Sequence, residues 1–313
     1  MSIIQRVLRI PILLVILTGL TAATLTKNSF DLTGSLVPYD DILSGGPPRD
    51  GIPSIDRPRF LPADKADYLK SQDRVLGIMR NGIAKAYPIR ILDWHEIVND
   101  RFGDEAIAVT YCPLCGTGMA FDANMGNKTL NFGVSGLLYN SDVLLYDRQT
   151  ESLWSQIMRT AVSGPFKGQK LKSVAITHTT WADWKSRHPD TLVLSTDTGF
   201  RRDYNRSPYA GYGESEEVIF PVKFLSKGYH PKELVIGLEI DGKFKAYPFA
   251  ELAKTNGQIN DTLNGKPVKV RFDVTHRTGN IYDAEEQEVP TVIAFWFAWF
   301  GFHPETEIYK TNK

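Results

Sequence analysis

The sequence contains an internal repeat, and this repeat constrains the fold more than any other feature. VLGIMRNGIAKAYP at 75–88 and VIGLEIDGKFKAYP at 235–248 are identical at seven of 14 positions. With one inserted residue, the match continues to CPLCGTGMAFDA at 112–123 and DVTHRTGNIYDA at 273–284. Two copies of a unit of this size predict a pseudo-symmetric pair rather than a solenoid. We call 75–123 the first repeat segment and 235–284 the second.

The local pattern within each segment predicts its secondary structure. Asn81-Gly82 and Asp241-Gly242 are typical of tight type I′ turns between two strands. In the first segment this predicts strands at 75–80 and 83–87, and the spacing of Ile91, His95 and Val98 then predicts a short helix over 88–98. Two further strands are expected at 106–111 and around 118–121. The predicted unit is therefore β-β-α-β-β, which indicates a strand-dominated α+β fold with mostly antiparallel sheet.

The rest of the chain divides around this duplication. Residues 27–62 contain six of the 18 prolines and are predicted to form an arm that lies on the body. Residues 63–313 are predicted to form one compact domain, in which 124–234 separates the two repeat segments. Additional predictions are strands at 129–134 and 143–147, a helix at 180–187 capped by Thr179 or Thr180, and a buried strand over the apolar run 292–302.

The first 26 residues have the layout of a secretory signal peptide. Arg6 and Arg9 precede an apolar stretch over 10–20, and small residues follow it. An uncleaved N-terminal anchor is the alternative, although the apolar run is shorter than a typical membrane-spanning helix. Both interpretations predict an extracytoplasmic protein, periplasmic or secreted, that meets a membrane only through this segment.

Charge and cysteine content exclude several classes of function. Lys plus Arg and Asp plus Glu both total 36, so no overall field attracts nucleic acid. Two cysteines are too few for a disulfide scaffold, a four-thiolate zinc site or an iron–sulfur cluster. The expected partner is therefore a metal ion or a small ligand, and the sequence alone does not decide whether the protein is an enzyme.

The two cysteines lie in one repeat segment only. Cys112 and Cys115 form a C-x-x-C pair directly after a predicted strand, and His95 lies on the preceding helix. Two thiolates and an imidazole form a soft ligand set suited to Cu(I) or Zn(II), so these three residues are the predicted metal site. Asp273 and His276 occupy the cysteine positions of the second segment, where they are a candidate for a second, pseudo-equivalent site. Two alternatives stay open: a thiol–disulfide oxidoreductase, and a ligand-binding module whose cysteines form a structural disulfide.

The ligand-binding alternative rests on arginines that are interleaved with aromatic residues. Such combinations stack on planar or anionic groups and clamp them. The candidate ligand-binding residues are Arg148, Arg201, Arg202, Tyr204 and Tyr209.

Several of these segments resemble the domain of unknown function 3179 family. The resemblance is carried by DGIPSIDRPRF at 50–60, AYP at 86–88, HEIVND at 95–100, YCPLCGTGMAFD at 111–122, FGVSGLLYNSDVLLYDRQTESLWSQ at 132–156 and PYAGY at 208–212. It implies an exported or membrane-associated prokaryotic protein. It implies no activity and no cofactor, and it transfers no catalytic residue.

Overall fold

The computed structural model describes residues 25–311. All but the last two residues of the predicted signal segment lie outside this range. Within residues 25–311, no helix has the length and apolar character needed to cross a membrane.

Strands dominate the described chain, as the sequence predicted. The strands are β1 (Thr26–Lys27), β2 (Phe30–Asp31), β3 (Ile42–Ser44), β4 (Phe60–Pro62), β5 (Arg74–Arg80), β6 (Ile83–Pro88), β7 (Ile97–Phe102), β8 (Glu105–Cys112), β9 (Thr117–Asp122), β10 (Asn124–Met125), β11 (Lys128–Thr129), β12 (Phe132–Tyr139), β13 (Asp142–Asp147), β14 (Leu153–Ser155), β15 (Thr160–Ser163), β16 (Ser173–Val174), β17 (Thr177–Thr180), β18 (Leu192–Leu194), β19 (Leu234–Ile240), β20 (Lys243–Pro248), β21 (Gln258–Leu263), β22 (Lys266–Asp273), β23 (Thr278–Tyr282), β24 (Glu288–Val289), β25 (Val292–Phe295) and β26 (Glu307–Ile308). The α-helices are α1 (Ile89–His95), α2 (Trp181–Arg187), α3 (Phe249–Leu252) and α4 (Trp296–Phe302).

Most of these strands pair antiparallel in four larger sheets. One sheet has the order β15-β14-β13-β12-β3, and another has the order β17-β5-β6-β18-β4. The largest sheet runs β26-β20-β19-β25-β9-β8-β7, with β16 also paired to β9, and the fourth runs β21-β22-β23-β24. The exceptions are parallel pairs between β18 and β6 and between β26 and β20.

The two repeat segments contain the same series of elements in different sheets. Each forms a hairpin, a short helix and three antiparallel strands: β5-β6-α1-β7-β8-β9 in the first and β19-β20-α3-β21-β22-β23 in the second. The turn residues Asn81-Gly82 and Asp241-Gly242 have positive φ angles, as type I′ turns require. However, β7–β9 extend the sheet that contains the β19-β20 hairpin, whereas β21–β23 form a sheet of their own with β24. The pseudo-symmetric relation between the segments stays a prediction.

The predicted helix over 88–98 is wrong at its C-terminal end. Helix α1 ends at His95, and Glu96, with a φ of 56°, turns the chain into β7. Strand β7 was missed because Val98 fits a helical spacing with Ile91 and His95 as well as it fits a strand. Each unit consequently has one strand more than predicted.

The predicted strand over 292–302 is also wrong in its second half. Only β25 is extended, and α4 begins at Trp296. A second repeated pattern, W-x-x-W-x-x-x-H-P-x-T at 181–191 and 296–306, indicates the helix, because the first copy contains α2. Helix α2 agrees with the prediction, including its cap: the Thr180 side chain accepts a hydrogen bond from the Asp183 N–H.

The proline-rich segment 27–62 is built into the sheets. Strand β3 pairs with β12, and β4 pairs with β18. This places the segment against the body, at the edges of two sheets, and it forms one wall of the region described next.

Candidate functional site

The two cysteines lie at the tip of the hairpin formed by β8 and β9. Cys112 is the last residue of β8 and pairs with Thr117, so the turn between them contains Cys115. Gly116 has a φ of 59°, and a Cβ on it would overlap the ring of Phe295. Glycine therefore lets the chain close the turn against β25.

Both thiols are buried in an apolar core. Cys112 is 2% exposed and Cys115 is not exposed, and they pack in one cluster with Trp154, Ile157 and Phe297. The Cys115 thiol donates a hydrogen bond of 3.2 Å to the carbonyl oxygen of Ser141. The thiols thus lie beneath the turn that connects β12 to β13.

Asp142, the first residue of β13, brings a carboxylate to the two thiols. One ligand atom from each of Cys112, Cys115 and Asp142 lies within 4.8 Å of the other two, and all three residues are buried. Asp142 Oδ2 accepts a hydrogen bond of 3.0 Å from the Ile157 N–H, whereas Oδ1 has no hydrogen-bond partner among the described residues. This group could hold a metal ion.

Burial sets the acid–base properties of the group. It raises the pKa of Asp142 to about 7, against the hydrogen bonds that favour its charged form. Burial also raises the pKa of the Cys112 thiol, and it raises the pKa of the Cys115 thiol well above its ordinary value. Without a cation, the site therefore favours protonated thiols.

Glu96 adds a second buried carboxyl to this region. Burial, with smaller contributions from the charges of Asp142 and Asp93, raises the pKa of Glu96 to about 8. The charge of Glu96 in turn contributes to the raised pKa of Cys112. Lys232 is buried, interacts electrostatically with Cys115, and donates its Nζ hydrogens to the carbonyl oxygens of Ser215 and Glu217.

His95 is not brought into the group. Its Nδ1 lies 2.8 Å from the carbonyl oxygen of Pro53, and its Nε2 lies 2.7 Å from the Tyr204 hydroxyl. Both ring nitrogens are therefore engaged with the proline-rich segment and with the loop over 196–212. The structure gives His95 a positioning contact between these two segments, and Asp142 stands where the histidine was expected as the third ligand.

The predicted ligand-binding residues do not converge on one place. Arg148 is occupied by the carboxylate of Asp50, at 2.9 and 3.0 Å, and so joins the proline-rich segment to β13. Arg201 and Arg202 are exposed, and the Tyr204 hydroxyl bonds His95 and Thr198. Arg201, Arg202 and Tyr204 line one open pocket, whereas Tyr209 lines a different cavity together with Glu96.

Asp273 and His276 form no metal-binding group among residues 25–311. The Asp273 carboxylate accepts hydrogen bonds from the backbone N–H groups of Thr275 and His276, which is a capped turn. His276 Nδ1 lies 2.8 Å from the Thr180 hydroxyl. The structure shows only a turn at this position.

Sequence reasoning missed Asp142 as a member of the group and Glu96 as a buried carboxyl in the same region. Asp142 lies 27 residues after Cys115, and this spacing has no local pattern. For Glu96, the comparison of the two repeat segments offered a signal, which is a residue difference at one position. Glu96 precedes the first strand after the helix, and the second segment has Gly257 at that place.

Comparisons with known proteins identify a family and no function. No curated protein and no solved structure matches the chain. Residues 49–306 match the family described as "Protein of unknown function (DUF3179)". This range includes both repeat segments and the buried group of Cys112, Cys115 and Asp142. The chain is therefore a member of this family of proteins of unknown function.

Proposed function

We propose that this protein is an extracytoplasmic metal-binding protein, in which Cys112, Cys115 and Asp142 bind Zn(II). The observation that carries the proposal is the geometry of the group: three ligand atoms lie within 4.8 Å of one another in a buried place. Zinc accepts cysteine thiolates, histidine nitrogens and carboxylate oxygens as ligands. Buried acids without a matching base stabilise a cation once they are deprotonated, because its charge replaces the missing counterion.

The carboxylate favours zinc over copper. Cu(I) is a soft ion that is satisfied by thiolate sulfur, whereas Zn(II) accepts sulfur and oxygen ligands together. The sequence left both metals open because it offered His95 as the third donor. With Asp142 as the third donor, the set contains two soft groups and one hard group.

Burial argues against the thiol–disulfide oxidoreductase. A catalytic thiol must reach its substrate, and it reacts as a thiolate that a lowered pKa makes available. Here the two thiols are 2% and 0% exposed, and burial raises the pKa of both. The ligand-binding module is also less well supported, since Arg148 is committed to Asp50 and both cysteines are free thiols rather than a structural disulfide.

The extracytoplasmic location rests on the sequence of residues 1–26. That segment has the charge and apolar layout of a signal peptide or N-terminal anchor.

Metal content measured on matched variants tests the proposal. Protein purified without oxygen and loaded with Zn(II) is expected to hold about one ion per chain by elemental mass spectrometry. Cys112→Ser/Cys115→Ser should abolish this stoichiometry. Asp142→Asn should weaken Zn(II) binding but leave Cu(I) binding by the two thiols intact. Asp273→Asn/His276→Gln, at the corresponding turn of the second segment, is the control and should bind as the wild type does.

Two results would overturn the zinc assignment. The first is an unchanged stoichiometry in the double cysteine variant. The second is a wild-type protein that binds no zinc, in which case a count of free thiols before and after reduction decides between the alternatives. A readily reduced disulfide would favour redox exchange, and a resistant one would favour a structural staple.

A further inference from the structure

The backbone at Glu96 has a conformation that side chains disfavour. Its φ is 56°, and the corresponding residue before β21, Gly257, has a φ of 90°. The two positions make the same hydrogen bond: the Tyr111 N–H donates to the Glu96 carbonyl at 2.7 Å, and the Phe272 N–H donates to the Gly257 carbonyl at 2.8 Å. Both segments thus require a left-handed residue at this point. Glycine adopts that conformation without a steric penalty, whereas glutamate does not.

The rest of the fold gives no reason for a glutamate there. The side chain is buried, with 6% of the residue exposed, and its carboxyl forms no hydrogen bond or ion pair with another residue of the described range. Burying an acid without a partner adds a cost to the backbone strain. A residue that is unfavourable in both respects points to a role for its carboxyl group.

The surroundings of Glu96 connect it to the cysteines. It lines a cavity of about 60 Å³ together with Leu114, which lies between the two cysteines, and Val143, which follows Asp142. Glu96 interacts electrostatically with Asp142 and Asp93, and its charge contributes to the raised pKa of the Cys112 thiol and of Tyr209. Its carboxyl does not belong to the group within 4.8 Å, so binding of the same ion requires the Glu96 side chain to change its rotamer.

We propose that Glu96 is the fourth protein ligand of the metal centre, an inference that rests on the zinc site proposed above. Zinc in protein sites is usually four-coordinate and tetrahedral, and Cys112, Cys115 and Asp142 supply three donors. Glu96 turns from the cavity towards the ion and completes the set. Metal binding then explains both differences between the repeat segments: the thiols and the Glu96 carboxyl occur only in the first.

Zinc affinity and metal-free stability, measured on the same variants, test this assignment. Chelator competition should show that Glu96→Gly and Glu96→Gln each lose at least about 100-fold in affinity, more than the roughly 10–100-fold loss typical of an outer partner. Without metal, Glu96→Gly should unfold at the same temperature as the wild type or at a higher one, because glycine relieves the strain. Glu286→Gly is the matched control: Glu286 also has a positive φ, 58°, but it is exposed and pairs with Lys269 and Arg271. It should keep wild-type zinc affinity.

The outcomes separate this inference from the proposed function. Zinc binding by the wild type with unchanged affinity in both Glu96 variants would overturn the role of Glu96 and leave the three-ligand centre standing. A loss of only about 10–100-fold would also overturn it, because Glu96 would then be an outer partner. Absence of zinc binding in the wild type would overturn the centre itself. If Glu96→Gly fails to fold, the backbone at this position is not strained in the wild type. Glu96→Gln then still tests the ligand role, because glutamine keeps the Cβ and the volume of the side chain.

Discussion

The turns after β8 and β22 have the same backbone arrangement and different chemistry. Cys112 pairs with Thr117 across the first turn, and Asp273 pairs with Thr278 across the second. The residue before the returning strand has a positive φ in both, 59° at Gly116 and 45° at Arg277. The first turn is buried and gathers thiols beside a carboxylate, while the second is largely exposed and closes on its own Asp273 side chain. The hairpin therefore determines only the backbone conformation of the turn. The elements that cover the turn determine whether its side chains are buried and which groups they contact.

The scaffold beneath these turns is similar in both segments. Lys85 Nζ lies 2.8 Å from Asp100 Oδ2, and Lys245 Nζ lies 2.8 Å from Asp261 Oδ2. The two pairs connect the hairpin of each segment to the first strand after its helix. The segments thus share their structural ion pair and differ at the proposed metal-binding group, and four predictions test this division.

The largest expected effect comes from breaking the buried ion pair. Asp100→Ala leaves Lys85 with a side chain only 9% exposed, so it should lower the free energy of unfolding by about 3–5 kcal/mol. Asp261→Ala should cost less, because Lys245 has a second carboxylate, that of Glu307, at 3.5 Å. Urea unfolding at neutral pH measures both losses. Equal losses of unfolding free energy in the two variants would show that neither solvent nor the second carboxylate, Glu307, compensates Lys245 for the loss of Asp261.

The next effect concerns pH and the carboxylate beside the first turn. The pKa of Asp142 is about 7 in the folded protein, above the value of about 4 expected for an unfolded chain. The contribution of this group to stability is therefore complete below about pH 4, and it is lost as the pH rises to about 7. Metal-free wild type should lose on the order of 4 kcal/mol over this range relative to Asp142→Asn. Equal stability changes of the wild type and Asp142→Asn between pH 4 and 7 would contradict this prediction.

A packing prediction applies equally to both segments. A Cβ on Gly77 would overlap the ring of Trp184, and a Cβ on Gly237 would overlap the ring of Trp299. Gly77→Ala and Gly237→Ala should each lower the free energy of unfolding by about 1–3 kcal/mol through overpacking. Gly228→Ala is the control, since its nearest contact would be the Ser226 hydroxyl at 3.4 Å. Chemical unfolding that found only one of the two glycines sensitive would mean that the tryptophans do not pack alike.

The sequence allowed prediction of the parts of the fold that depend on short-range patterns. The hairpins at Asn81-Gly82 and Asp241-Gly242, the strand-rich antiparallel class and helix α2 follow from turn residues, alternation and a capping threonine. Helix α4 was missed because its aromatic side chains are apolar all round, which removes the helical periodicity. Only its similarity to α2 indicates a helix.

The site was less predictable because its members come from distant parts of the chain. The C-x-x-C spacing identified Cys112 and Cys115, but Asp142 reaches them through the pairing of β12 with β13, which no local pattern reveals. His95 was expected there because it ends a helix close in sequence to the thiols. The chain instead reverses direction at Glu96, and the histidine faces Pro53 and Tyr204.

The smallest expected effect tests how solvent changes one hydrogen bond that occurs twice. Trp184 Nε1 donates to the Thr191 hydroxyl at 2.9 Å, and Trp299 Nε1 donates to the Thr306 hydroxyl at 3.0 Å. Thr191→Val leaves the indole N–H without a partner in a fully buried place and should cost about 1–3 kcal/mol. Thr306 is half-buried, so water can replace its hydroxyl, and Thr306→Val should cost less than about 1 kcal/mol. Thermal unfolding of the two variants measures the difference. A larger loss at Thr306 would mean that the second indole is as well shielded from water as the first, and that the difference in solvent exposure between the two turns does not extend to the two tryptophans.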